Sequence, residues 1–420
     1  MSHVHVIGAG LAGLSAALAL TGAGRRVTLY EAGPAAGGRC RSYLDRELGL
    51  RIDNGNHLLL SGNHAAFAYI DEIGSRDRLD GPGQPLFPFV DVQTGERWVV
   101  RPNLGRVPWW ILSARRRVPE TRLSDYLGMS AIARVRDDTV VADVMRRGHL
   151  YWRLVEPLAV AALNTRPQVA HAPLLAAVMR ETLLRGGKAC IPSFPKDGLS
   201  DALVDPAIAM LRARGADVQF GRRVAELTIQ EGRVTALQTT EGPTGLEPGD
   251  SVVLAVPSWI AVGLMPDLMA PDSYEAILNI HFRMEPGPDG PGSEAGFIGM
   301  VGGTAEWVFI KPGHVSVTVS AANRLADEPA RAIAELVWPN IRAALDLKWP
   351  ARDPMPPFRV VKEKRATFAA TAEQERRRPP ARTKLANLVL AGDWTDTGLP
   401  ATIEGAIRSG RTAAAAILTA

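Results

Sequence analysis

The stretch Gly8-Ala9-Gly10-Leu11-Ala12-Gly13 follows an apolar run at residues 4–7 and leads into small residues that end near Gly22 or Gly24. The segment "RRVTLYE" comes next and finishes on Glu31. This spacing suits an anion held by backbone. Gly8 permits a tight turn, Gly10 lets the chain approach a pyrophosphate, and Gly13 allows the following helix to lie close to the strand. The helix start presents unpaired N–H groups to the negative charge. Glu31, at the tip of the second strand, can accept hydrogen bonds from an adenosine ribose, and an acid there disfavours a 2′-phosphate.

Gly37-Gly38-Arg39 follows soon after that acid. Two glycines again allow close backbone approach, and Arg39 can reach a phosphate or hold a loop over it. A nicotinamide site does not need this extension, whereas FAD, a longer molecule, is followed past its pyrophosphate by such a segment. Only one strand, glycine turn, helix and acid unit occurs, which predicts no second full nicotinamide-binding domain and an external reductant.

The elements that must position these residues are spread along the chain. "LVLAGDWTDTGLPATIEGAIRSGRTAAAA", residues 388–416, reads as a buried strand, a Gly392-Asp393 turn and a helix opened by Pro400. Residues 203–240 read as a helix and short strands beside the dinucleotide sheet, and "DSVVLAVPS" as another strand. "EWVFIKPGHVSVTVSAAN" is rich in strand formers, and a helix is expected from Pro329 toward Leu345, broken or kinked at Pro339. The expected fold class is α/β: a Rossmann-like FAD-binding domain from residues 1–80, 190–257 and 387–420, with a discontinuous mixed α+β substrate domain from residues 81–189 and 258–386.

Composition excludes several other classes. The chain has 420 residues, 46% of them hydrophobic, enough for more than one core. Its 40 Gly and 31 Pro are dispersed, so no low-complexity tract is expected. A net charge of +4 is too small for a dedicated nucleic-acid binder. Cys40 and Cys190 are far apart and without metal-ligand spacing, so neither a disulfide framework nor a zinc site is indicated, no metal is expected, and a reducing cytoplasm fits. The first strand begins too early for a signal peptide, and no apolar run reaches the length of a bilayer span.

The elements from Gly8 to Glu31 with Gly37-Gly38-Arg39 resemble the amine oxidase and phytoene desaturase superfamily of flavoproteins. Four longer strings, "DNGNHLLLSG", "LNTRPQVAHA", "VVKEKRATFAAT" and "NLVLAGDWTDTGLPATIEGAIRSG", narrow the resemblance to the squalene-associated FAD-dependent desaturases, understood as hydroxysqualene dehydroxylases of hopanoid biosynthesis. The resemblance covers essentially the whole chain. Asn56 is a departure, standing where the family's commonest form has Gln.

The resemblance implies an amine oxidase-like fold with FAD at its centre. It adds Leu11, Ala12, Ala32, Asn54, Gly55, Asn56, Val224 and Ala255 to the cofactor site, with Val224 contacting adenine through its backbone. At the carboxyl end it implies Asp393 near the ribityl hydroxyls and pyrophosphate, Ala401, Thr402 and Ile403 as the flavin-facing turn, and Ala406 as a close-packing position. The implied reaction converts hydroxysqualene to squalene by loss of an allylic hydroxyl and delivery of hydride from reduced flavin. His57 and Glu404 are the expected proton donors, each with a structural role as its alternative. A carotenoid-type desaturase, a flavin amine oxidase and a non-catalytic prenyl-lipid carrier remain as other readings of this sequence.

Residues 101–122 contain six arginines and one acid around Trp109 and Trp110. Such a segment suits the interface of an anionic bilayer, with both tryptophans at the headgroup boundary; packing between domains is the alternative.

Overall fold

The computed structural model describes residues 2–285, 290, 292–348 and 354–419. Five short apolar strands form a parallel sheet in the order Asp217–Gln219, Arg26–Tyr30, His3–Ile7, Ser251–Leu254 and Leu388–Leu390. Its central strands are buried on both faces, as a parallel sheet requires. Against it lie the helices Leu11–Gly22 and Ile403–Leu418. They meet so closely that a Cβ at Gly410 would overlap the Ala12 carbonyl oxygen, and Ser15 Oγ donates across the contact to Ile407 O at 2.9 Å. Ala406, which the resemblance gave as a close-packing position, packs against this core, and Gly410 makes a further close contact one helical turn later.

Residues 224–245 do not extend this sheet. They form a separate antiparallel sheet, Val224–Gln230, Arg233–Thr239 and Gly242–Gly245, that packs Leu227, Val234 and Leu237 with Ile7, Val252 and Leu254. Only Asp217–Gln219 from that part of the chain joins the parallel edge. The inward apolar positions, Val224 and Leu227 on one strand and Val234 and Leu237 on the next, are three residues apart, and register shifts between Val224 and Glu226 and between Thr228 and Ile229 interrupt the simple alternation.

A seven-stranded mixed sheet takes the order Phe358–Phe368, Tyr274–Arg283, His314–Val319, Trp307–Lys311, Phe297–Val301, Phe87–Asp91 and Arg97–Val100. One face presents Leu278, Ile280, Phe282, Val315 and Val317 to the helix Ala330–Ala344. The helix continues through Pro339 instead of breaking there. Burial of Ile333, Val337 and Ile341 along one side offsets the backbone hydrogen bond that the proline removes. The opposite face carries Asn279, His281, Ser316 and Thr318 beside Trp307, Phe309 and Phe297, since directly paired residues share a side.

All strands of the parallel sheet fall within residues 1–80, 190–257 and 387–420, and all strands of the seven-stranded sheet within 81–189 and 258–386. Gly410→Ala should lower stability by about 1–3 kcal/mol through overpacking at Ala12. Urea unfolding of the flavin-loaded protein measures this, and an unchanged midpoint would show that the two helices separate freely.

Candidate active site

The glycine turn lies at the carboxyl ends of the parallel strands. Gly8 has φ +105°, a conformation that favours glycine, and a Cβ there would overlap Ala255 O. Ala255 is held in place by its own N–H, which donates to Ile7 O at 2.8 Å. Gly13 has no room for a Cβ beside Gly8 O, while Gly10 faces open space. Leu11 and Ala12 form the first helical turn. Gly37 donates to Ala9 O at 2.8 Å and bridges Gly10, which brings Gly38 against the first glycine turn.

Glu31 accepts from Ala9 N at 2.9 Å and from Gly33 N at 2.8 Å, across the exposed Ala32. Both oxygens keep acceptor capacity for ribose hydroxyls. Val224 starts its strand opposite Thr239 and packs in the cluster that contains Tyr30.

Residues 53–57 cross the polar part of the seven-stranded sheet. Asp53 accepts from Lys311 Nζ at 2.6 Å on one oxygen, and from Ser42 Oγ at 2.5 Å and Leu199 N at 2.8 Å on the other. Asn279 donates to Asn54 O at 3.0 Å and accepts from Asn56 N at 3.3 Å, so Gly55 passes directly over it. Asn56 Nδ2 donates to Thr318 Oγ1 at 3.0 Å, but Asn56 Oδ1 is buried without a partner among the described residues.

His57 is half-buried by surface exposure, yet its ring is enclosed by protein and has no hydrogen-bond partner among the described residues. Burial pushes its pKa down to about 4; Arg39 and Lys311 act in the same direction and Asp53 opposes them. That direction favours the neutral ring near pH 7. A neutral ring with one N–H remains.

Arg39 links the two ends of the chain. Its guanidinium donates to Asp393 Oδ1 at 2.6 Å and to Ala366 O at 2.5 Å, contacts of the loop-holding kind among the two roles expected for it, reaching a phosphate or holding a loop. Arg378, which sequence reasoning missed, is buried over the Phe368 ring and donates to Thr395 O and Thr397 Oγ1, fixing the loop after Asp393. Gly392 N donates to Ser409 Oγ at 2.8 Å. The final helix starts at Ile403, three residues beyond Pro400, with Thr402 Oγ1 capping Gly405 N at 3.0 Å. Ala401 and Thr402 form the turn before it, and Ala406 closes its first backbone bond to Thr402 O.

Glu404 points away from solvent. Its carboxylate accepts from Ala65 N at 3.0 Å and Ala66 N at 2.8 Å, at the start of helix His64–Glu72, and pairs with Arg408 at 2.9 Å. Of the two roles expected for it, proton donor or structural carboxylate, these contacts fit the structural one. It joins two helices and satisfies N–H groups that a helix leaves unpaired.

The residues present fit a flavin. The facing glycines leave backbone-width space, Asn56 Oδ1 lacks a protein donor, and the Thr402 turn presents a helix N-terminus suited to charge on a reduced ring. Lys311, Asn279, Thr318 and Arg378 complete the surroundings and carried no local signal in the sequence. Beyond this polar part, Phe87, Phe194, Phe297, Trp307 and Phe309 pack into an apolar cluster.

A parallel dinucleotide sheet joined to a second mixed sheet defines a flavoprotein oxidoreductase. The chain belongs to the flavin containing amine oxidoreductase family, whose model matches residues 11–418, and its cofactor is FAD. It is similar to hydroxysqualene dehydroxylases of Rhodopseudomonas palustris, 48% identical with 99% of this chain and 98% of that protein covered, and of Zymomonas mobilis, 46% identical with the same coverage. Putrescine oxidase shares the fold, with a TM-score of 0.72 at 15% identity, covering 100% of this chain and 99% of that one.

Glu404→Gln should lower stability by about 1–3 kcal/mol while leaving single-turnover chemistry of the folded, FAD-loaded protein unchanged. A large loss of single-turnover rate at unchanged stability would restore a chemical role. For His57, a folded pKa below the unfolded value means that stability is full above pH 6.5 and is lost as pH falls toward about 4. His57→Asn should flatten that decline in melting temperature, and an identical acid dependence in the variant would contradict a depressed pKa.

Proposed function

We propose that this protein is an FAD-dependent hydroxysqualene dehydroxylase, with residues 1–80, 190–257 and 387–420 holding the cofactor and residues 81–189 and 258–386 holding the isoprenoid. The observation that carries this reading is the divided face of the seven-stranded sheet. Its polar part is bound to residues 53–57, and its other part is aromatic. An allylic alcohol on a long hydrocarbon needs both environments. The relatives named above supply the particular substrate.

Reduced FAD supplies hydride when bound. In the overall change a C–O bond breaks, a C–H bond forms and the hydroxyl leaves with a proton as water. Gly8, Gly10, Gly13 and Gly37 admit the pyrophosphate, Glu31 holds the ribose, and Arg39 with Asp393 closes the site from the carboxyl end. The neutral His57 N–H orients the hydroxyl oxygen. The aromatic part excludes water that would otherwise trap positive charge at the allylic carbon. The carbon chain gains no directional bond there, so shape and dryness position it. An external reductant regenerates the flavin, and the pathway served is hopanoid formation.

The lipid reaches this site from a bilayer surface. Trp109 is 65% exposed and Leu127 is 72% exposed, with Leu112 and Leu123 also outward. The turns Trp109–Leu112 and Leu123–Tyr126 touch, so these residues share one surface region, and Arg106, Arg115 and Arg116 are exposed along the same segment. Their charge complements an anionic headgroup layer at roughly 1 kcal/mol per residue. Trp110 does not take part: it is buried edge-to-face on Tyr126, in the same apolar cluster as Phe89 and Trp98. Its burial narrows the expected tryptophan pair to Trp109. Among the described residues no helix is long and apolar enough to cross a membrane, so the contact is one-sided.

Anaerobic mixing of the reduced holoenzyme with hydroxysqualene should give squalene together with flavin reoxidation. Reoxidation without squalene, or a conjugated polyene formed from squalene by the oxidised enzyme, would overturn the assignment. In flotation with phosphatidylglycerol vesicles, Trp109→Ser with Leu127→Ser should reduce binding by at least about tenfold while preserving activity on detergent-dispersed substrate. Equal flotation would exclude this surface.

A further inference from the structure

His3 and His5 lie two residues apart on the first strand and therefore share a face; their ring centroids are 4.1 Å apart. The next strand in the sheet begins at Ser251, paired with Val4, so Asp250 arrives beside both rings. We propose that His3, His5 and Asp250 form a site for one zinc-class divalent ion at the amino-terminal edge of the parallel sheet.

Three features support the site beyond proximity. His5 is 2% exposed, its Nε2 has no hydrogen-bond partner among the described residues, and that atom lies 3.8 Å from Asp250 Oδ2. Its other nitrogen meets Tyr30 OH at 3.0 Å, which orients the ring as an outer partner does for a ligating histidine. Asp250 is itself fixed, accepting from His3 N at 3.0 Å on one oxygen and from Glu247 N at 2.9 Å on the other.

One potential ligand atom from each of the three residues can be chosen so that all lie within 4.8 Å of one another. Metal–ligand bonds of about 2.0–2.2 Å would draw them together by roughly 1 Å, and His3, half-buried at the mouth of an open cavity, can make that movement. Arg26 is the competing cation, with its guanidinium 3.1 Å from His3 Nδ1. Thr28 Oγ1 meets His3 Nε2 at 2.9 Å, so ion binding exchanges at least one of these contacts for a metal bond. Two nitrogens and one carboxylate oxygen, completed by water, suit zinc chemistry. The strand carries Gly8 at its other end, so the ion sits well away from the flavin and acts as a structural clamp between two strands.

The test uses chelator-treated, FAD-loaded full chain titrated with Zn²⁺ against a chromophoric chelator, with His3→Gln and Asp250→Asn as variants. The expected result is one equivalent bound by the wild type, a zinc-dependent rise in melting temperature, and affinity at least about tenfold weaker in each variant. The flavin absorbance of each variant checks its fold independently. Failure of the wild type to bind one equivalent, or equal affinity in both folded variants, would overturn the site.

Discussion

Asp53 carries its charge inside the protein, and the candidate site is organised around satisfying it. A buried carboxylate is tolerated only when its oxygens find donors, and Asp53 takes them from Ser42 on the neighbouring strand and from the distant Leu199 and Lys311. Burial raises its pKa, but Lys311 and the hydrogen bonds outweigh that effect and hold the carboxyl below its ordinary range. Its stabilisation is therefore complete above the unfolded carboxylate pKa and is lost as pH falls through the depressed folded value. Because Lys311 belongs to the seven-stranded sheet and Leu199 to a helix beside the parallel sheet, this one group fixes how the two sheets face each other.

The consequences reach the chemistry through residues 54–57. Once Asp53 is fastened, Asn54, Gly55 and Asn56 are laid over Asn279, and His57 is carried into an enclosed position where burial keeps it neutral. At the other end, Arg39 and Arg378 hold the Asp393 loop, while Glu404 and Gly410 fix the last helix against its neighbours. A polar part bound to residues 53–57 and an aromatic part thus share one sheet face. Period-two alternation puts the remaining apolar residues on the other face, under the helix Ala330–Ala344.

The parts legible in the sequence were those written locally. Gly8 to Glu31 lies on a strand, a turn and a helix in direct succession, and Leu388–Leu390 announced its strand by its apolar run. Partners that meet only after folding carried no such mark. Lys311 is 258 residues from Asp53, and Asn279 is 225 from Asn54. Glu404 read as a possible acid because its role depends on Ala65 and Ala66, whose N–H groups are supplied by another helix. Trp109 and Trp110 are adjacent in sequence but separated by the fold, one outward and the other against Tyr126. The parallel-sheet framework was therefore readable, while the partners and burial of individual side chains required the assembled structure.

A double-mutant cycle on Asp53→Asn and Lys311→Gln, read by urea unfolding of the FAD-loaded protein, tests whether this buried pair governs the arrangement. Each single variant leaves one buried charge without its partner and should cost about 3–5 kcal/mol, whereas the double variant should recover a large part of the summed loss. Strictly additive losses would contradict the account, because they would mean that Asp53 and Lys311 stabilise their surroundings independently.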